Sequence, residues 1–201
     1  MVLTSETLEQ AIEHLAKLPG MGRKTAQRLA MHLLKQSDED VLQLAQAITN
    51  LKQKITYCTV CYNVTDTDPC PICASDKRSN GTICVVEEPR DVYVIEKTNE
   101  FKGRYHVLGG VISPLDSIGP NEIRVKELIA RVSGENEDIS EIILALNPDA
   151  EGEATSFYIN KLVKPFGVKV TRIAHGIPMG SELEYIDDAT LSKAFAGRNV
   201  F

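Results

Sequence analysis

Apolar positions in the first fifty residues recur with helical spacing. Leu8, Ala11, Ile12 and Leu15 fall at i, i+3, i+4 and i+7 and form one apolar face. Thr4 or Ser5 can cap that helix, with Glu6 and Glu9 near the positive end of its dipole. The stretch 19–22 (PGMG) stops it, because the ring of Pro19 disfavours helical geometry at Leu18. A second helix carries Ala26, Leu29, Ala30 and Leu33 in the same register. A third starts near Asp38, directs Val41, Leu44, Ala45 and Ile48 inward and ends near Lys54.

Beyond the third helix the period changes. Residues 82–87 (TICVVE) and 141–146 (EIILAL) are short apolar runs of the kind that form buried strands. Residues 105–111 and 168–173 are further strand candidates. Residues 121–132 and 151–163 have helical patterns, with Ile123, Leu128 and Ile129 giving the first a partial apolar face. A short helix is expected near residues 189–196. Strands alternating with helices imply βαβ units and a parallel sheet. The expected fold class is mixed α and β in four parts. These are a helical module at 1–54, a cysteine motif at 55–79, an α/β domain with a mainly parallel sheet at 80–175, and a C-terminal extension at 176–201.

Composition changes this picture little. The chain has 201 residues, a 43% apolar and 25% charged make-up, and no tryptophan. No apolar run approaches the roughly 18 residues of a membrane span. The first ten residues carry Glu6 and Glu9 and no basic segment before an apolar one, unlike a secretory signal. A cytoplasmic protein is expected, and there paired cysteines are metal ligands more often than disulfides. Net charge is −6, which argues against a uniformly basic nucleic-acid binder. The charge is uneven, however. Residues 1–57 sum to +1 and the remainder to −7, and between Lys17 and Lys35 there are five basic residues and no acid. Any DNA contact belongs to that stretch.

Three constellations carry candidate chemistry. In the first, residues 18–30 (LPGMGRKTAQRLA), Gly20 and Gly22 permit a tight turn with bare backbone. The next helix then opens with exposed N–H groups, a site for phosphate. Arg23, Lys24 and Arg28 add positive charge there. A plain helix–turn–helix packing unit is the alternative. The second is Cys58, Cys61, Cys70 and Cys73, two Cys-x-x-Cys pairs with eight residues between them. Each pair presents two thiolates to one metal, and four sulfurs close a tetrahedral Zn²⁺ shell with no position for water or substrate. A structural zinc is expected, and Cys84, within a strand pattern, is a small buried residue. In the third, Glu87 follows the first strand of the α/β region and Asp149 and Glu151 follow a later one. Functional groups gather at such strand ends in open parallel sheets, where acids can share Mg²⁺. An acid-rich solvated loop and helix start is the alternative there. His14, His32 and His106 read as surface or packing residues, and His175 has no evident partner.

These stretches carry a resemblance. Residues 18–30 resemble the helix–hairpin–helix pattern, whose members bind the DNA backbone without reading sequence. Glu87 and the segment NPDAEGEAT (147–155) are similar to the Toprim domain of topoisomerases, primases and related nucleases. Those enzymes use an Asp-x-Asp pair where this chain has Asn147-Pro148-Asp149, so metal chemistry is expected to be weakened or lost. The order of these parts, with YHVLGGVISPLDSIGP (105–120) and IAHGIPMGSELEYIDDATL (173–191), resembles the RecR family of bacterial recombination mediators over essentially the whole chain. The resemblance implies a non-enzymatic protein of DNA repair that binds single- and double-stranded DNA. It implies action with RecO and RecF to exchange single-strand-binding protein for RecA on gapped DNA. It also implies a ring-like oligomer, usually a tetramer, built through the N-terminal helices and C-terminal regions, with the Toprim face toward RecO. A Mg²⁺-dependent Toprim nuclease or primase-like enzyme remains the alternative.

Overall fold

The structure, a computed structural model, describes residues 5–78, 80–134, 138–174 and 176–198. His175 lies outside the described residues. The chain folds as two compact units that divide between Ile55 and Thr56.

The first unit is helical, with α1 (Glu6–Ala16), α2 (Arg23–Leu33) and α3 (Asp38–Lys54). Ser5 caps α1 by accepting a hydrogen bond from Leu8 N at 3.3 Å, and Ser37 caps α3 by accepting one from Asp40 N at 3.2 Å. Ile12, Ala26 and Ala30 are buried together, with Leu8, Leu15, Ala16 and Met21 packed around them. Two alanines one turn apart leave room for α1 to approach α2 closely. Ala11 and Leu29, expected in the stripe, are exposed. The expectation for α3 fails: it buries no residue. Leu44 and Ile48 are 47% and 60% exposed. Periodicity identified the apolar side of this helix, but the small α1–α2 core does not cover it.

The second unit starts with a short antiparallel ribbon, β1 (Thr56–Tyr57) and β2 (Val64–Thr65), and the one-turn helix α4 (Pro71–Ala74). Then come β3 (Thr82–Val86), α5 (Pro89–Glu96), β4 (Arg104–Val107), α6 (Val125–Ser133), β5 (Glu141–Ala145), α7 (Ala150–Val163), β6 (Lys169–Arg172) and α8 (Asp188–Ala196). The sheet order is β4-β3-β5-β6, with every pairing parallel, as the alternation of strands and helices implied. β3 is buried on both faces. Ile83 and Val85 join a core with Leu108, Leu128, Ile142, Leu144 and Ile159, while Cys84 and Val86 join Val92, Tyr105 and Val107 on the other side. Each fully buried Leu or Ile contributes about 1.5–3 kcal/mol.

Two elements differ from expectation. α6 begins at Val125, not near residue 121, because the preceding residues are tied to a loop. Gly119 N donates to Glu122 Oε2 at 2.8 Å and Arg124 N donates to Leu108 O at 2.9 Å. α5 was not anticipated. Pro89 occupies its first turn and Asp91 accepts a hydrogen bond from Glu88 N at 2.8 Å. The chain runs from β3 to β4 in one direction and returns past β3 to β5 in the other. β3 and β5 are therefore neighbours at the switch point, and the segments leaving their C-terminal ends face the same crevice.

Candidate nucleic-acid interface and metal centre

The turn between α1 and α2 depends on Gly20, which has φ +76° with open space where a Cβ would be. The requirement is thus one of backbone conformation. Met21 N donates to Leu18 O at 3.0 Å and closes the turn. Gly22 is the N-cap of α2 and offers no side-chain cap, so the first-turn amides keep their donors. Arg23 and Lys24 stand in the first turn of α2 and Arg28 in its second, all three exposed, with a difference among them. Arg23 is ion-paired with Glu9 of α1, whereas Lys24 and Arg28 have no acidic partner among the described residues. Lys24 and Arg28 are one turn apart and form a small bare cationic ridge.

Cys58, Cys61, Cys70 and Cys73 converge, with all four sulfurs within 4.8 Å of one another and all four residues buried. Among the described residues this is the one group of three or more such side chains that could hold a metal ion. Cys61 Sγ lies 3.6 Å from Cys70 Sγ, close to the roughly 3.8 Å edge of a tetrahedron with Zn–S bonds of about 2.3 Å. Backbone amides support the sulfurs: Cys70 N donates to Cys58 Sγ at 3.3 Å and Cys73 N to Cys70 Sγ at 3.4 Å. The thiols also divide in acidity. The hydrogen bond from Cys73 draws Cys61 down to about 6, while burial pushes Cys70 up to about 11. Four sulfurs this close cannot share negative charge without a cation among them. The donor set therefore fits Zn²⁺ held by four thiolates.

Glu87 follows β3 and Asn147 and Asp149 follow β5, so the switch point places them at one end of the sheet. Asn147 Nδ2 donates to Glu87 Oε2 at 2.9 Å. Asp149 Oδ1 accepts from Gly152 N at 2.7 Å and caps α7. Glu151 is half-buried in the first turn of α7. Glu153 is held by Arg172 at 3.1 Å and Lys193 at 3.3 Å. Burial raises the Glu87 carboxyl above its ordinary value, and the charges of Asp91, Glu88 and Asp149 add to the shift. An amide donor occupies the place beside Glu87 where a cation would bind, and one oxygen of Asp149 is committed to the helix cap. This arrangement fits Mg²⁺ poorly.

The comparisons with known proteins agree with this geometry. Residues 8–52 match the family described as RecR, helix-hairpin-helix, and residues 55–75 match the RecR zinc finger domain of four cysteines. Residues 81–174 match the Toprim domain and residues 176–199 match RecR, C-terminal. The chain is 58% identical over 203 residues to the recombination protein RecR of Chloroherpeton thalassium, covering 99% of both. It is 55% identical to those of Chlorobaculum parvum and Chlorobium limicola, again covering 99% of each chain. The chain belongs to the RecR family.

As a RecR-family recombination protein it combines a helix–hairpin–helix DNA-binding module, a four-cysteine zinc centre and a Toprim domain. The zinc is structural. Several residues that support these sites carried no signal in the sequence. The Cys61 carbonyl accepts from Val107 N at 2.8 Å, so a zinc knuckle continues the hydrogen bonding of edge strand β4. Arg124 places its guanidinium over the rings of Tyr57 and Tyr62, at 5.5 and 5.0 Å, joining the β1–β2 ribbon to the α/β domain. Such contacts link residues 46 to 67 positions apart, and no local pattern announces them. Only α5 was within reach, through Pro89 in the first turn and an acid two residues on.

Proposed function

We propose that this chain is a non-enzymatic mediator of recombinational repair in the bacterial cytoplasm, associated with the nucleoid during repair. It acts with RecO and RecF to help load RecA on gapped single-stranded DNA coated with single-strand-binding protein. The observation that carries the reading is the uncapped start of α2 with Lys24 and Arg28 beside it, both without an acidic partner among the described residues. Gly20 and Gly22 let the backbone approach phosphate, and Arg23, Lys24 and Arg28 supply charge. Contacts of that kind grip single- and double-stranded DNA without reading bases. Two such cations are a weak site alone. A ring of four chains multiplies them by avidity. The bare apolar side of α3 and the segment 176–198, which has no buried residue, support such an oligomer.

The acidic second unit meets proteins. Glu87, Asp149 and Glu151 serve as a docking face for RecO, and their poor fit to Mg²⁺ counts against a Toprim nuclease or primase-like reaction. The test is fluorescence anisotropy with gapped DNA over a salt series. Lys24→Ala combined with Arg28→Ala weakens binding and lowers the log–log salt slope by about 1.4 for each chain engaged on single strands. An unchanged slope would remove the α1–α2 turn from the DNA-binding role.

A further inference from the structure

Residues 108–120 form a loop of the second unit held by backbone and buried-hydroxyl hydrogen bonds, and neither the DNA-binding nor the zinc role uses it. It leaves β4 through Gly109 and Gly110, at φ +82° and +151°, and Gly109 N donates to the Glu87 carbonyl at 2.8 Å. Ser113 and Ile118 then exchange both backbone hydrogen bonds, at 3.0 and 2.8 Å, and close a hairpin with four residues at its tip. Ser113 is 1% exposed. Its hydroxyl donates to Asp116 Oδ2 at 2.9 Å and accepts from Asp116 N at 3.2 Å. The base is anchored on α7, where Ile112 N donates to Thr155 Oγ1 at 2.9 Å, and that hydroxyl donates to the Glu151 carbonyl at 2.7 Å. Ile112 and Ile118 pack on the main core. Ser117 is a non-glycine residue held at φ +60°, a conformation that persists only where its surroundings impose it. At the tip Leu115 is 94% exposed.

Buried hydroxyls, core side chains and a strained residue here hold one large apolar side chain out in water. A preorganised apolar anchor gives up little freedom on binding, so it is suited to entering a pocket on another protein. The anchors of the loop select the partner. They are the backbone of Glu87 and the first turns of α7, the elements that carry the acidic face, and the loop adds Asp116 and Glu122 with no basic residue before Arg124. We infer that the 113–118 hairpin is a docking knob whose Leu115 enters an apolar pocket with a basic rim on the protein that binds the acidic end of the sheet. This rests on the proposed function, in which the acidic end meets a partner protein.

The experiment measures binding of the purified RecO protein of the same cell to the full-length zinc-loaded chain by calorimetry, for wild type, Leu115→Ala, Leu115→Met and Glu87→Lys. Melting temperature, molar mass and DNA affinity are recorded for each. Leu115→Ala should weaken RecO binding by about tenfold or more, while Leu115→Met, which keeps the volume, retains it and the other three properties stay at wild-type values. Wild-type affinity in Leu115→Ala with a loss in Glu87→Lys would overturn the knob and leave the acidic docking face standing. A change of molar mass in Leu115→Ala without a change in RecO affinity would assign the tip to a second copy of this chain and also overturn it. No binding of RecO to the wild-type chain would remove both proposals.

Discussion

His106 is fully buried on β4, at a place where the strand pattern left a surface or a packing residue open. Its Nε2–H donates to the Arg124 carbonyl at 2.7 Å, and its Nδ1 accepts from Arg131 Nη1 at 3.4 Å. The Tyr62 ring packs against it at a steep angle, with ring centroids 5.5 Å apart. Burial drives its acidity to about 3, and the nearby positive charges of Arg131 and Arg124 lower it further. The unfolded chain binds a proton near pH 6.5 and the folded chain does not, so stability rises with pH between those values. Acidifying from about 6.5 toward 3 therefore costs up to about 1.4 kcal/mol per pH unit from this residue. His106→Gln keeps a donor and an acceptor without a titrating group. Thermal denaturation at a series of pH values should show a shallower acid slope for that variant. Equal slopes would mean that protonation of His106 is not coupled to folding. That the ring is neutral was not legible in the sequence, because Arg124 and Arg131 reach it from 18 and 25 positions away.

At the scale of elements, the zinc knuckles have little structure of their own. β1 and β2 are two residues each and α4 is four. The metal supplies the folding free energy that so small a piece cannot obtain from apolar burial. The knuckles also cover β4, through the Cys61 carbonyl on Val107 N, and Leu108 N next in line donates to the Val86 carbonyl at 2.9 Å. Chelation or Cys73→Ser should therefore lower the melting temperature by on the order of 10 °C and expose the edge of the sheet to self-association. Calorimetry with zinc analysis checks this, and an unchanged melting temperature after complete zinc removal would overturn it. The cysteine spacing was enough to foresee the ligand set, since four sulfurs at that separation have few other uses. The covering of β4 was not foreseeable, because it depends on a backbone carbonyl that any residue type could supply.

At the scale of the whole molecule, apolar surface remains on both units among the described residues. Leu42, Leu44, Ile48 and Leu51 of α3 are all more than 45% exposed, and Leu183, Tyr185 and Phe195 of the C-terminal segment more than 60%. Patches of that kind mark interaction sites. Light scattering should give a mass near four chains of 22.2 kDa. Leu44→Glu with Ile48→Glu should reduce it to a smaller species while leaving helix content and zinc in place, because neither side chain supports the α1–α2 core. A wild-type mass equal to one chain would end the ring proposal.

The sequence by itself determined every longer helix except α5, the parallel sheet, the zinc ligands and the glycine turn with its basic neighbours. Each depends on a local repeat or spacing: a period of 3.6, a short apolar run, paired cysteines, or glycines before a helix start. Tertiary structure alone decided which periodic faces are covered, that Arg23 is spent on Glu9 while Lys24 and Arg28 are not, and that Asn147 bonds Glu87. It also decided that a loop of glycine, proline and serine holds Leu115 out into water. The physical reason is common to all of these. A local pattern sets backbone conformation and the side on which each residue lies, whereas the partner that quenches, covers or leaves it bare comes from residues far along the chain.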